Sequence, residues 1–182
     1  IELARNPDYW GGPPHLSGVV FRPLPDVSAR TAALRSGDVD IVAVPNPDSV
    51  RNLVSEGYTL SEGRPPHVWY LSFNMRDPIM AHNEVRQAIN LAIDRDGMAR
   101  DLLRGTVNPA YGVQAPANSA YVERTDAYAR NLDKARELLR QAGYPDGFTT
   151  TLTTSVDGSG QIIPSQMAEY LQQNLADVGI CL

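Results

Sequence analysis

Nine residues, HVWYLSFNM at 67–75, constrain the fold of this chain more than any other stretch. The run is rich in β-formers. It sets His67, Trp69, Leu71 and Phe73 against Val68, Tyr70, Ser72 and Asn74, an alternation of period two that predicts a strand with two unlike faces. One of Trp69 and Tyr70 should therefore face the core and the other a cleft or a neighbouring lobe. Gly63, Pro65 and Pro66 punctuate the chain just before the run. Such punctuation followed by a long aromatic strand fits a crossing between two lobes, and it fits a plain loop equally well.

Upstream, the pattern reads strand–helix–strand–helix–strand. GVVFRPL at 18–24 predicts a short strand, and Ser28 caps a helix running through Arg35, with Gly37 placed to end it. VDIVAV at 39–44 is apolar except for Asp40 and predicts a buried strand. Asp48 caps a second helix, SVRNLVSE, before the alternating strand YTLSE. Ahead of all this lies RNPDYWGGPP at 5–14, where Pro7 and the Gly11–Gly12 pair suit a tight turn. Tyr9 and Trp10 could cover a sheet edge there, which favours a structural corner over a binding loop.

Downstream, the pattern turns helical. Asn83 is placed to cap a helix with Val85, Ala88, Ile89, Ala92 and Ile93 on one face. Asp94 caps another through Met98, Leu102 and Leu103, stopped by Gly105. Residues 106–129, with Pro109, Pro116 and the tyrosines 111, 121 and 128, predict a long loop, and such loops tend to be functional or disordered. Tyrosine offers rigid area and a hydroxyl at binding surfaces, but pinning the loop to the body is the preferred reading of these three. Asn131 opens a helix with Leu132, Ala135, Leu138, Leu139 and Ala142 inward, stopped by Gly143. A threonine-rich strand, FTTTLTTS, precedes a helix striped by Met167, Leu171, Leu175 and Val178 and ended by Gly179. Ile180–Leu182 read as the first steps of a further strand, so the chain is expected to be a piece of something longer.

Bulk properties exclude several classes. With 182 residues, 42% of them apolar, the chain can bury one large core or two unequal ones. A net charge of -5 without a basic stripe argues against nucleic acid and anionic membrane surfaces as partners. No run approaches the ~18 apolar residues of a membrane span. The opening IELARNPD lacks the features of a signal peptide. Cys181 stands alone, so an internal disulfide is impossible, and nothing near it in sequence would activate it as a nucleophile.

Chemical motifs are scarce. GSG at 158–160 lacks the spacing and the lysine of a phosphate-binding loop. His15, His67 and His82 have no Cys or His partners at ligand spacing, so no metal site and no cofactor are expected. No serine sits in a nucleophile elbow. Asp94, Asp96 and Asp101 flank a helix junction and read as cap and first-turn charges, not as an acid–base pair.

The order of stretches is nevertheless distinctive. NPDYWGG, RTAALRSGDVDIV, YLSFNMRDPIMAHNEVRQAINLAIDRDGMARDLLRG and NLDKARELLRQAGYPDGF follow one another with natural spacing. In that order they resemble the extracellular solute-binding proteins of family 5, the peptide- and nickel-binding components of bacterial ABC importers. The resemblance implies an α/β, type II periplasmic binding protein-like fold in a full protein about three times as long. It further implies that residues 1–64 are a segment of lobe I, 65–75 the crossing strand, and 76–182 the first half of lobe II. An acidic residue that holds a peptide's amino terminus in such proteins would lie beyond Leu182. The positions left near the cleft are Tyr70, Asn74 and Tyr111.

The implied function is binding without catalysis: capture of a peptide or similar small solute and delivery to a membrane permease. The protein would lie in the periplasm or outside the cell, anchored as a lipoprotein, with no direct membrane insertion of these 182 residues. A ligand-sensing effector domain of a transcription regulator is the alternative, distinguished by a DNA-binding helix–turn–helix upstream. A peptide hydrolase is the third class, and no triad or metal cluster in the sequence supports it.

Overall fold

The computed structural model describes residues 1–63, 67–123, 128–156 and 162–182. The Pro65–Pro66 pair and the 158–160 glycine stretch lie outside the described residues. Contacts divide the chain into two units, Ile1–Val44 and Pro45–Leu182. The first unit ends at Val44. Residues 39–44 form no strand that would extend it, and the helix that follows is tied by Asp48 to Arg104 at 2.6 Å.

In the first unit, β1 (Glu2–Ala4) pairs antiparallel with β2 (Gly18–Val20), with Leu3 opposite Val19. The connection is the glycine- and proline-rich corner read from sequence. Gly12 adopts φ 91° and donates to the Tyr9 carbonyl at 2.9 Å, and Asn6 Oδ1 accepts from the Asp8 amide at 3.0 Å. Arg5 fastens the corner by donating to the Leu16 and His15 carbonyls, both at 3.1 Å. Tyr9 and Trp10 lie against each other at 5.2 Å between centroids, but Trp10 is 91% exposed and covers no sheet edge within this unit.

Helix α1 (Val27–Ser36) is capped by Asp26, whose Oδ1 accepts from the Ala29 amide at 2.6 Å; Ser28, the expected cap, lies inside the helix. Asp26 wins because it stands one position before the first helical residue, where a side-chain oxygen reaches back over the free amides. Gly37, at φ 78°, ends the helix as expected, its amide reaching the Ala33 and Leu34 carbonyls. The predicted buried strand at 39–44 is absent and Ile41 is 86% exposed, because no ladder pairs it among the described residues.

The second unit is mainly helical. α2 (Pro47–Ser55) is capped by Asn46, with Pro47 at its first position, so Asp48 serves as a first-turn charge, not the cap. YTLSE forms no strand. α3 (Pro78–Ala81) is capped by Asp77 and ends at His82, which is also the residue before α4 (Asn83–Ala92). Asn83 is thus the first residue of α4 and its Oδ1 accepts from Arg86 at 3.3 Å instead of capping.

The helix expected from Asp94 is compressed into α5 (Arg95–Gly97) and a wider π turn, Met98–Leu102, where the Leu103 amide donates to the Met98 carbonyl at 2.9 Å. Asp94 does cap it, through the Gly97 amide at 2.8 Å. Asn131 caps α6 (Leu132–Gln141) as read from sequence, through the Lys134 amide at 2.9 Å. β3 (Phe148–Thr149), α7 (Pro164–Ala176) and β4 (Ile180–Cys181) form a βαβ unit with parallel strands, Phe148 opposite Ile180. Only the first two residues of the predicted threonine-rich strand enter this ladder.

The core lies between α4 and α6. Val85, Ala88, Ile89 and Ala92 meet Ala135, Leu138 and Leu139, with Leu175, Val178 and Ile180 closing one side. Alanines at three of these positions let the helices approach closely, and the apolar period of 3.6 places every one of them inward. Helix packing is fixed further by Arg130, which donates to the Ala92 carbonyl at 3.2 Å and pairs with Asp177 at 2.7 Å.

Candidate functional site

Residues 67–75 form no strand, because no ladder partner faces them among the described residues. Their alternation nevertheless holds in part. Leu71 and Phe73 pack on the core, whereas Tyr70 is 78% exposed and Ser72 and Asn74 are exposed. Apolar side chains two apart are drawn to the α4–α6 core, and extended backbone throws the residues between them outward. Asn74 closes the segment with a turn: its Oδ1 accepts from the Arg76 amide at 3.2 Å and its carbonyl accepts from the Asp77 amide at 3.0 Å. That turn delivers the chain into α3.

Tyr111 occupies a different setting. Its hydroxyl donates to Asp96 Oδ2 at 2.5 Å, and the Arg95 guanidinium stands 5.9 Å from its ring centroid. Burial, then the hydrogen bond and charge of Asp96, push the phenol up to about 12 against the opposing pull of Arg95. Tyr111 is therefore a protonated donor at any physiological pH. Arg95 donates to Asn90 twice, to its carbonyl at 2.8 Å and its Oδ1 at 2.7 Å, and to the Ile93 and Tyr128 carbonyls at 3.5 Å. Burial lowers its pKa, offset in part by Tyr111, Asp96 and Tyr128, and a guanidinium stays charged regardless.

Three consecutive residues thus reach three different places. The Asp94 amide donates to Asn174 Oδ1 of α7 at 2.6 Å, Arg95 reaches Tyr128, and Asp96 holds Tyr111. Gly97 follows because the site has no room for more: a Cβ there would overlap the Tyr170 hydroxyl and the Asp94 carboxylate. The acids near this junction are each engaged, Asp101 with Arg100 at 2.6 Å and 2.8 Å, so they form a set of ties and not an acid–base pair. Sequence reading took Asp96 as a first-turn charge and missed Arg95. The available signal was the unbroken charged triplet in AIDRDG.

Among the described residues, no hydrogen bond or ring contact joins Tyr70 or Asn74 to Tyr111. Tyr70 and Asn74 belong to the 67–75 segment, and Tyr111 is held beside α5 by Asp96. An open recess of about 250 Å³, lined by Thr150, Leu152, Glu169, Gln172 and Leu182 among others, contains none of the three. No three His, Cys, Asp or Glu side chains group as a metal site among the described residues, and no helix among them is long and apolar enough to cross a membrane.

Comparison with known proteins gives the chain its relatives. Residues 1–182 match the family described as bacterial extracellular solute-binding proteins, family 5 Middle. The glutathione-binding protein GsiB of Salmonella choleraesuis (strain SC-B67) is 33% identical over 99% of this chain and 35% of its own length. Among solved structures, the periplasmic binding protein DppA of Helicobacter pylori, in complex with peptide STSA, superposes with a TM-score of 0.87 at 33% identity. It is covered over 100% of this chain and 35% of its own. AgaA of A. tumefaciens R10, in complex with agropinic acid, gives 0.80 at 29% identity over 100% of this chain and 37% of its own. The chain spans about a third of the length of the curated relatives it matches. These relatives are solute-binding proteins and not enzymes, and their fold is the α/β type II periplasmic binding protein fold.

Proposed function

The chain belongs to the bacterial extracellular solute-binding proteins of family 5, and from that premise we propose that it is part of the substrate-binding component of an ABC importer. The component captures a peptide or similar small solute in a cleft between two lobes and hands it to a permease in the membrane. The match of the family over the whole chain carries this reading. Residues 1–64 are assigned to the first lobe, 65–75 to the crossing and 76–182 to half of the second. The protein works in the periplasm or outside the cell, held to the membrane by a lipid anchor.

Chemistry at the three named positions supports a peptide. Exposed Tyr70 offers rigid aromatic area that costs little ordering entropy. Asn74 spends its side-chain oxygen on its own turn, which leaves the amide nitrogen to donate to a peptide carbonyl. The Tyr111 hydroxyl donates to Asp96 and retains a lone pair that can accept from a peptide N–H. Ligand binds the closed form more tightly than the open one and so shifts the population toward closure.

Calorimetric titration of STSA peptide and of glutathione into a polypeptide extended to the length of the relatives tests this. Saturable binding of either, with both ligands recovered intact, is the expected result. Hydrolysis of the peptide, or no heat from a panel of di- to pentapeptides, would overturn it.

A further inference from the structure

We infer that Arg95 and Asp96 are a positioning pair that holds Tyr111 from two sides, fixing the direction in which its hydroxyl is presented. The inference rests on the reading in which Tyr111 contacts ligand, and it adds the residues that make such a contact directional.

Four observations support it. Asp96 is itself exposed, yet its carboxylate accepts a hydrogen bond from the Tyr111 hydroxyl at 2.5 Å across fifteen residues of chain. A charge-assisted bond of this kind fixes the phenol's rotation and commits its proton, so only the acceptor side of the oxygen is left for a solute. Arg95 cannot leave to bind a solute on its own account. Two of its donors are held by Asn90 at the end of α4, and the same guanidinium reaches the Ile93 and Tyr128 carbonyls. Anchored there, its plane stands near the Tyr111 ring, 5.9 Å from the centroid, within the range of a cation–π contact. The pair is in turn fixed from below: Asp94 caps the Gly97 amide and its own amide is held by the buried Asn174. Phenol, ring and both supporting side chains are thereby referred to the α4–α7 framework and not to the loop that carries Tyr111.

The test compares wild-type chain with Asp96→Ala, Asp96→Asn, Arg95→Lys and Tyr111→Phe. Side-chain order of residue 111 is followed by 13C relaxation of its ring, with the α4 residues 85–92 as reference, and no ligand is present. The ring order parameter should fall from the rigid range toward the flexible one in D96A and Y111F, through the loss of one hydrogen bond to a charged group. It should fall in R95K, which keeps the charge but loses the fork. D96N keeps an acceptor oxygen and should return close to wild type. An unchanged order parameter in D96A, a matching fall in the α4 residues, or a ring as disordered in D96N as in D96A would each overturn the pair. In the length-extended polypeptide, affinity for STSA should fall in D96A and recover in D96N. Full affinity in D96A despite a disordered ring overturns the positioning role. Absence of STSA binding in wild type counts against the functional reading alone, since the relaxation measurement decides the pair without ligand.

Discussion

At the scale of residues, arginine is the organising side chain. Arg5, Arg22, Arg30, Arg86, Arg95, Arg130 and Arg136 each donate to main-chain carbonyls, so much of the basic charge serves to tie segments together. The planar fork suits this task, because it can meet two or three carbonyls that no secondary structure satisfies. Tyr111 shows the complementary behaviour of a group whose neutral form the fold prefers. Its folded-state pKa is raised to about 12, above the ordinary phenol value near 10. The stability linked to it is accordingly complete below pH 10 and lost as pH rises from about 10 through 12. Thermal melts at steps of pH should show wild type losing stability over that window faster than Y111F. Parallel pH profiles for the two proteins would contradict the assignment. None of this was legible in the sequence, where Tyr111 was one of three tyrosines in a loop and Asp96 one of three acids at a helix junction.

At the scale of elements, helices were legible and strands only in part: GVVFRPL, FTTTLTTS and the Ile180–Leu182 end each hold a short strand, at Gly18–Val20, Phe148–Thr149 and Ile180–Cys181. The inward faces of α4 and α6 follow from period alone, and the glycines at 37, 105, 143 and 179 all stand where a helix or turn ends, with positive φ. Caps were read correctly where the sequence offers a single polar residue before the apolar run, as at Asn131 and Asp94. They were misplaced where two compete, as with Asp26 and Ser28 or Asn46 and Asp48. Other expected strands failed because a ladder is not a local property: 39–44 and 67–75 have the composition, but no described neighbour supplies the hydrogen bonds. The β3–β4 pair depends on the approach of two glycines. Gly147 has φ 81°, and a Cβ on it would overlap the Gly179 carbonyl. Gly147→Ala should cost about 2–4 kcal/mol and break the parallel pair. Denaturant unfolding would measure the loss, and a change under about 0.5 kcal/mol, the usual range for surface substitutions, would refute the packing described.

At the scale of the whole molecule, the apolar residues are unevenly used. The buried apolar side chains of the described residues all lie in the Pro45–Leu182 unit, whereas Ile1, Leu3, Val19, Val20 and Phe21 of the other unit are exposed. A two-stranded ribbon without a covered face is marginal by itself. These 182 residues, a third of the length of their relatives, should therefore bind peptide weakly or not at all when isolated. Titration of the isolated chain beside the length-extended polypeptide checks this, and micromolar binding by the isolated chain would refute it. Family membership was legible at this scale because several stretches recur in order, which requires no knowledge of how they pack.

By itself, the sequence determined the helices, their inward faces, the glycines that stop them and the family to which they belong. All of these rest on sterics and periodicity within a few neighbouring residues. Tertiary structure alone decided which extended segments became strands, that Tyr111 is held by Asp96 beside Arg95, and that AIDRDG is a junction. The reason is physical: a ladder hydrogen bond, an arginine fork and a phenol–carboxylate pair each need partners far apart in sequence, and only the folded chain brings those partners within 3 Å or so of one another.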